Sequence, residues 1–194
     1  MSVKISVVSI SLALVTLLFT SCSQKTDRTV CRVFEKPFCA ELTVKNAEGE
    51  YCASVTLGAV PDEAAETNEA DGQDSGQNTT APRDGNVVYT SPDNITGISA
   101  VRTSGSVSVN VCGIVVVPSE NIAQRYTYLL DLLDMRADEV TEMHDDEYSG
   151  RGVTVLKFIH GGEEVSVCID KESGAPIYLD GNDIALTFDK FIYT

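Results

Sequence analysis

The sequence has little positive charge, only two histidines and no tryptophan. Fourteen Lys and Arg residues stand against 29 Asp and Glu residues, which gives a formal net charge of −15 at pH 7. The corresponding isoelectric point is about 4.3. An acidic excess of this size argues against nucleic-acid binding and against broad adhesion to anionic lipid head groups.

Motifs that would identify an enzyme are also missing from the sequence. It contains no Gly-x-Ser-x-Gly, zinc-protease helix, phosphate loop, dinucleotide fingerprint or Cys-x-x-Cys. His144 begins an acidic run that could coordinate a metal, but we interpret that run as solvated charge in a polar loop. His160 precedes Gly161-Gly162 and is interpreted as a turn residue. We therefore expect no enzymatic activity, no cofactor and no metal site.

The N-terminal segment carries an export signal. Lys4 precedes the apolar residues 5–19, a run that is too short for a stable transmembrane helix but suits a signal peptide spanning residues 1–21. Residues 18–22, Leu-Phe-Thr-Ser-Cys, resemble the lipobox of bacterial lipoproteins. This resemblance implies lipid on Cys22 and anchoring to the extracytoplasmic face of the cell membrane. The partner expected there is the membrane itself.

A polar tether, residues 22–29, follows the lipidated cysteine and can span about 25 Å at ~3.5 Å per residue. We expect one domain to follow, residues 30–194, interrupted by a disordered acidic insertion at residues 61–85. The insertion is rich in Asp, Glu, Asn, Gln and Gly and shows no apolar periodicity. Its residue order does not match an EF-hand, so a calcium-binding loop is the less favoured interpretation.

Apolar and polar residues alternate along most of the mature chain, which is typical of strands with one buried face. The clearest example is a long hairpin over residues 37–58, turning near Glu48. Further strands are predicted by the same pattern and by the turn residues between them. They cover residues 87–89, 98–103, 106–111, 114–117, 153–159, 165–169, 177–179 and 184–193.

One long helix is predicted after Pro118, with the Ser119 side chain as its N-terminal cap. A short helix is also expected near residues 26–34. The apolar face of the long helix needs a large surface to cover it, and the surrounding strands provide one. This face contains Ile122, Tyr126, Leu129, Leu130 and Leu133 at helical spacing.

Five cysteines follow the proposed lipidation site, an odd number for an exported protein. Cys39, Cys52, Cys112 and Cys168 alternate with apolar neighbours, and either cross-strand disulfides or semi-buried free thiols would fit this pattern. A turn near Glu48 sets Cys39 opposite residues 54–57, which makes a direct bond from Cys39 to Cys52 awkward.

The order of these elements resembles the LolA-like group of lipoprotein carriers and their relatives. The resemblance is carried by residues 38–44 (Phe-Cys-Ala-Glu-Leu-Thr-Val), by the helix after Val117-Pro118 and by residues 167–176, which end in Gly-Ala-Pro. It implies an α+β fold in which a curved antiparallel sheet, an unclosed β-barrel, is covered by one long helix.

Many members of that group bind acyl chains on the apolar inner face of the sheet, so the resemblance implies a hydrophobic ligand. The alternative is a cell-envelope protein-interaction module whose core is filled by the same side chains and which binds no small molecule. The partner of such a module is not identified by the sequence. The predicted lining consists of Phe38, Leu42, Val55, Leu57, Val109, Val111, Tyr126, Leu129 and Leu133.

Overall fold

The computed structural model describes residues 28–60 and 81–194. The signal peptide, Cys22, most of the tether and residues 61–80 of the acidic insertion lie outside the described residues. The predictions made for those segments remain predictions.

One antiparallel sheet of eleven strands dominates the described part of the chain. It consists of two meanders, and its spatial order is β6-β5-β4-β3-β2-β1-β11-β10-β9-β8-β7. The strands are β1 (Phe38–Asn46), β2 (Gly49–Leu57), β3 (Gly85–Ser91), β4 (Ser99–Thr103), β5 (Ser106–Val111), β6 (Ile114–Val116), β7 (Val140–Tyr148), β8 (Arg151–His160), β9 (Glu163–Asp170), β10 (Pro176–Asp180) and β11 (Ile184–Tyr193).

The two meanders are joined where β1 pairs with β11 in the middle of the sheet. The register shifts there between Glu41 and Leu42, so that one extra residue of β11 is accommodated by a bulge. Bulges increase the local twist and bend the strand. Because β6 and β7 pair with no second neighbour, the sheet stays unclosed among the described residues.

The predicted long hairpin is confirmed. Along β1 the side chains of Phe38, Ala40, Leu42 and Val44 are buried, while those between them are not. Cys39 faces Thr56 across the hairpin, within the range of residues expected from the turn position. The period of two in the sequence therefore predicted both the strand and its register.

The predicted helix is helix α1 (Glu120–Leu133), which packs on the inner face of β2, β3, β4 and β5. Two details of the prediction were wrong. Ser119 precedes the helix but makes no side-chain capping bond, and its carbonyl oxygen instead accepts from the amides of Ile122 and Ala123, both at 2.9 Å. Ile122 is 49% exposed, because the buried face of the helix contains Ala123 and Thr127 and not Ile122.

Strand β7 was missed by the sequence analysis, which placed His144 and the acidic residues after it in a polar loop. The strand lies at the edge of the sheet and is largely exposed, so it shows no apolar alternation. Its charges pair across the surface instead, with Lys157 at 2.9 Å from Glu142 and Lys171 at 2.9 Å from Asp145. Charged side chains of this kind protect an edge strand from pairing with other chains.

Two short 3-10 helices complete the described part, Arg28–Arg32 before β1 and Ala137–Glu139 before β7. The first of them lies within the short helix predicted near residues 26–34. No helix within residues 28–60 and 81–194 is long and apolar enough to span a bilayer.

Candidate functional site

Most of the nine predicted lining residues lie deep in the protein. Val111 is 37% exposed on β5, and Tyr126 on helix α1 is partly buried. The other seven are at most 1% exposed, and all of them except Val109 belong to one contiguous apolar cluster. These seven are Phe38, Leu42, Val55, Leu57, Val109, Leu129 and Leu133.

Aromatic rings fill one end of this cluster. The ring of Phe38 stacks on that of Phe191 with centroids 4.8 Å apart, and Phe34 meets Phe38 edge-on at 5.9 Å. Phe188 lies 6.2 Å from Phe34. Such close-packed rings contribute to the stability of a core. Whether any of the seven residues contacts a ligand stays a prediction.

A groove of about 950 Å³ lies elsewhere, between the first half of helix α1 and the inner face of β2 and β3. Of the nine predicted residues, only Tyr126 lines it. We call it the tyrosine groove because four of its side chains are tyrosines. Its lining is Asn46, Glu48, Tyr51, Tyr89, Ile95, Ile98, Asn121, Gln124, Arg125, Tyr126 and Tyr128.

The tyrosine groove is built by three separate parts of the fold. Tyr51 on β2 and Tyr89 on β3 lie side by side, with ring centroids 5.8 Å apart and planes inclined at 46°. Tyr126 approaches from the helix, its ring 6.4 Å from that of Tyr89 and at 75° to it. The Tyr89 hydroxyl donates to the carbonyl oxygen of Tyr126 at 3.4 Å, which ties the sheet to the helix.

Burial is the main influence on the acidity of these tyrosines. It raises the pKa of Tyr89 to about 12, with smaller contributions from Tyr51 and Tyr126. Burial also raises the pKa of Tyr51 and of Tyr128. The hydroxyl groups therefore stay protonated near neutral pH, where they act as hydrogen-bond donors and acceptors rather than as bases.

Two opposite charges line the tyrosine groove. Among the described residues, neither Glu48 nor Arg125 has an ion partner within 4.0 Å. Arg125 is an exposed cation on a strongly acidic chain. Unpaired charges beside a groove are available to a bound molecule.

The far end of helix α1 is held by a buried arginine that no sequence pattern indicated. Arg83 is fully buried. Its Nε donates to the carbonyl oxygen of Gly58 at 2.8 Å and its Nη2 to that of Lys36 at 2.9 Å, while its backbone amide donates to Asp134 at 3.2 Å. The guanidinium thus joins the segment before β1, the end of β2 and the residue after the helix.

A second buried arginine, Arg102 on β4, extends this network. Its Nε donates to the carbonyl oxygen of Arg83 at 2.6 Å, and its Nη1 forms an ion pair with Asp131. Arg136 closes the group with a 3.0 Å contact to Asp134. The network fixes the position of the helix over the sheet, and hence the position of Tyr126 in the groove.

His160 precedes the β8–β9 turn as predicted, but it also contacts the same end of the helix. Its Nε2 lies 2.7 Å from the carbonyl oxygen of Asp131, and its Nδ1 lies 3.1 Å from a carboxylate oxygen of Glu139. Both partners accept hydrogen bonds, so only the imidazolium satisfies both contacts at once. No group of three or more His, Cys, Asp or Glu within the described residues is arranged to hold a metal ion.

The four cysteines that alternate with apolar residues form no disulfides with one another. Cys39 Sγ lies 3.3 Å from the hydroxyl oxygen of Thr56, and Cys52 Sγ lies 3.9 Å from that of Thr43. These contacts cross the first hairpin at separate levels, because Cys39 pairs with Thr56 and Cys52 with Thr43. The structure therefore favours the free-thiol interpretation for these cysteines.

An unclosed antiparallel sheet with one helix across its inner face is the architecture predicted from the sequence. It is also the architecture that the resemblance to the LolA-like group implies. No protein-family model matches this chain. No curated protein matches it either.

Solved structures similar to this chain come from several bacteria. An uncharacterised conserved protein from Thermus thermophilus is 14% identical with a TM-score of 0.49, covering 87% of this chain and 84% of its own. A LolA superfamily protein from Nitrosomonas europaea is 8% identical with a TM-score of 0.39, covering 90% and 94%. The lipoprotein LppX from Mycobacterium tuberculosis is 13% identical with a TM-score of 0.40, covering 86% and 96%. The likeness concerns the fold alone.

Proposed function

We propose that this protein is a non-enzymatic lipoprotein, held on the extracytoplasmic face of the cell membrane by lipid on Cys22. Its tyrosine groove binds an acyl chain or another hydrophobic ligand. The observation that carries the proposal is the groove itself, about 950 Å³ in volume and lined by four tyrosines and two isoleucines. Its volume falls within the range of clefts that bind small molecules, and the other five lining residues are polar or charged.

The anchor is supported by the sequence at residues 1–22. The apolar run of residues 5–19 ends directly before the small residues Thr20 and Ser21 and the cysteine. Two or three acyl chains bind a protein firmly to a bilayer, whereas one chain binds it only marginally. A tether of residues 22–29 keeps the domain within about 25 Å of the lipid surface at ~3.5 Å per residue.

The anchor is tested by labelling cells with radioactive palmitate. The wild-type chain is expected to incorporate the label, and the Cys22→Ala variant is not. Cys39→Ala serves as the matched control, because Cys39 lies on β1 within the folded domain. Equal incorporation in wild type and Cys22→Ala would refute lipidation at this site.

The assignment of the ligand to the groove rests on the character of its lining. Ile95 and Ile98 supply apolar surface, and the tyrosine rings combine an apolar body with a hydroxyl that tolerates water. Leu129 and Leu133, two residues of the predicted interior lining, lie on the buried face of the helix within the apolar cluster. We therefore place the ligand at the open side of the half-barrel.

Photo-crosslinking in native membranes tests the ligand. Cells are fed a photoactivatable fatty acid, illuminated, and the full chain is purified for peptide mass spectrometry. Crosslinks are expected on peptides that contain Tyr126 or Ile95, and Tyr126→Asp should reduce them at least ~fivefold by burying a charge in the site. Tyr148→Asp is the control, since Tyr148 stacks on Tyr178 on another part of the sheet. Crosslinks confined to peptides outside the groove would overturn the assignment.

The second candidate is the interaction module with a filled core, and the surface of β6 favours it. Ile114 is 67% exposed and Val117 is 83% exposed, and Val115 and Val116 between them are exposed as well. The strand forms one edge of the sheet and carries no charged residue. An uncharged edge can accept an additional strand from a partner through backbone hydrogen bonds.

The two candidates are separated by placing a photo-crosslinking amino acid at Val117. A discrete protein adduct in intact cells, absent when the same amino acid replaces Thr103 on β4, supports the interaction module. Val115→Lys should abolish that adduct, because it places a charge on the edge strand. Lipid crosslinks in the groove without a protein adduct at Val117 support the ligand-binding candidate alone.

A further inference from the structure

The rings of three tyrosines meet in the lining of the tyrosine groove. The rings of Tyr51 and Tyr89 are inclined at 46°, and those of Tyr89 and Tyr126 at 75°. The face of each ring is the negative part of its quadrupole, which attracts a cation within about 6 Å of the ring centroid. Rings set at an angle to one another can therefore contact an ammonium group from two or more sides.

Carboxylates surround these rings. Glu48 lies near Tyr51, and Glu163 and Asp183 lie near Tyr128, where each raises the pKa of the neighbouring hydroxyl in addition to the effect of burial. Of these carboxylates, Glu48 belongs to the lining of the groove, in a chain whose net charge is −15. Both observations favour a positively charged group beside the rings.

Arg125 adds a positive charge to the lining of the same groove. It lines the groove from helix α1, and within residues 28–60 and 81–194 no carboxylate lies within 4.0 Å of its guanidinium. A guanidinium binds phosphate oxygens through two parallel hydrogen bonds. A ligand that carried only a cation would leave this guanidinium without a partner.

We propose that the groove selects its ligand by a zwitterionic head group, an ammonium against Tyr51 and its neighbouring tyrosines and a phosphate on Arg125. The chemical class is an alkyl or acyl ester of phosphocholine or phosphoethanolamine. This inference rests on the proposed function, since it names the head group of the hydrophobic ligand. Neither a plain anion nor a plain cation matches both sides of the site.

The test measures binding of four hexyl compounds to the full chain in phosphatidylglycerol nanodiscs, with empty nanodiscs subtracted. The probes are hexylphosphocholine, hexyltrimethylammonium, hexyl phosphate and hexyl glucoside, which share one apolar chain. Isothermal titration calorimetry gives the dissociation constants. Hexylphosphocholine is expected to bind ~10-fold more tightly than hexyl phosphate and hexyl glucoside, and ~5-fold more tightly than hexyltrimethylammonium.

Variants of the groove test which side chain binds the phosphate of the head group and which binds its ammonium. Arg125→Gln should weaken hexylphosphocholine ~5-fold and leave hexyltrimethylammonium unchanged, because it removes only the phosphate partner. Tyr51→Leu should weaken both cationic probes ~5-fold, whereas Tyr51→Phe keeps the ring and should keep the affinity. Arg151→Gln is the charge-matched control at an exposed position on β8. Thermal unfolding of each variant confirms that it is folded.

The possible outcomes test the head-group inference separately from the proposed function. Equal affinity for all four probes would overturn the head-group inference and leave the hydrophobic-ligand function standing. Tightest binding of hexyl phosphate would also overturn it, as would a phosphocholine preference that survives both Arg125→Gln and Tyr51→Leu. Binding of none of the probes would refute the inference and the proposed function together.

Discussion

The guanidinium of Arg83 donates to the carbonyl oxygen of Gly58 at 2.8 Å, although the two residues are 25 positions apart in the chain. The amide of Gly58 in turn donates to the carbonyl oxygen of Asp84 at 2.9 Å. The two ends of the segment that carries the acidic insertion are therefore fastened to each other.

Removing residues 61–80 and joining the ends with a short Gly-Ser linker should leave the free energy of unfolding within about 1 kcal/mol of wild type. The entropy of closing a loop depends only weakly on its length when its ends already meet. Urea unfolding followed by circular dichroism measures the change. A loss of more than about 2 kcal/mol would mean that the insertion contributes to the core, contrary to the prediction.

Arg83→Met should destabilise the protein by about 3 kcal/mol, because it keeps most of the side-chain volume but leaves the carbonyl oxygens of Gly58 and Lys36 without their buried donor. Arg151→Met, at an exposed position on β8, should change stability by no more than about 0.5 kcal/mol. Both changes are measured by equilibrium unfolding. Similar effects for the two variants would show that the buried network is not stabilising.

Leu129→Ala should cost about 3 kcal/mol, and Ile122→Ala on the same helix about 0.5 kcal/mol or less. Leu129 is fully buried in the core, whereas Ile122 is 49% exposed. The two variants also test the predicted interior lining. Truncating a residue that faces a solvent-filled cavity lowers the free energy of unfolding far less than truncating a packed residue. A loss near 0.5 kcal/mol for Leu129→Ala would favour the cavity.

Stability should fall at alkaline pH through Tyr89. Its pKa is about 12 in the folded state against an ordinary value of 10.0, so the folded state holds the proton more tightly. The contribution is fully present below pH ~10 and is lost as the pH rises towards ~12, up to about 2–3 kcal/mol in all. Urea unfolding of wild type and Tyr89→Phe between pH ~9.5 and ~11.5 measures it. Parallel pH profiles for the two proteins would contradict this assignment.

The parts of the fold that follow from short-range sequence patterns were predictable. Alternation along β1 and β2 predicted the first hairpin, and the spacing of Leu129, Leu130 and Leu133 predicted the long helix. Strand β7 was not predictable by the same rule, because an edge strand with both faces exposed carries no apolar period. It pairs with β8 as an edge strand, and its side chains form ion pairs with Lys157 on β8 and with Lys171 after β9.

The candidate site was much less visible in the sequence. Tyr51, Tyr89 and Tyr126 are separated by more than thirty residues at each step, and only the pairing of β2 with β3 and the crossing of the helix bring their rings together. The cited partners of Arg83 and Arg102 lie 49 and 19 positions away in the sequence. The composition of a polar stretch is typical of an exposed loop. Such a stretch therefore does not indicate that an arginine within it is buried.

The pairing of β1 with β11 also determines when the sheet can become complete. These are the first and last strands of the described part, and they meet in the middle of the sheet rather than at its edge. The edge of β1 that pairs with β11 therefore stays unpaired until β11 has been synthesised. Pairing between segments so far apart in the sequence forms slowly. Until then the chain consists of two incomplete half-sheets, each with an unpaired inner edge that is open to mispairing with another copy.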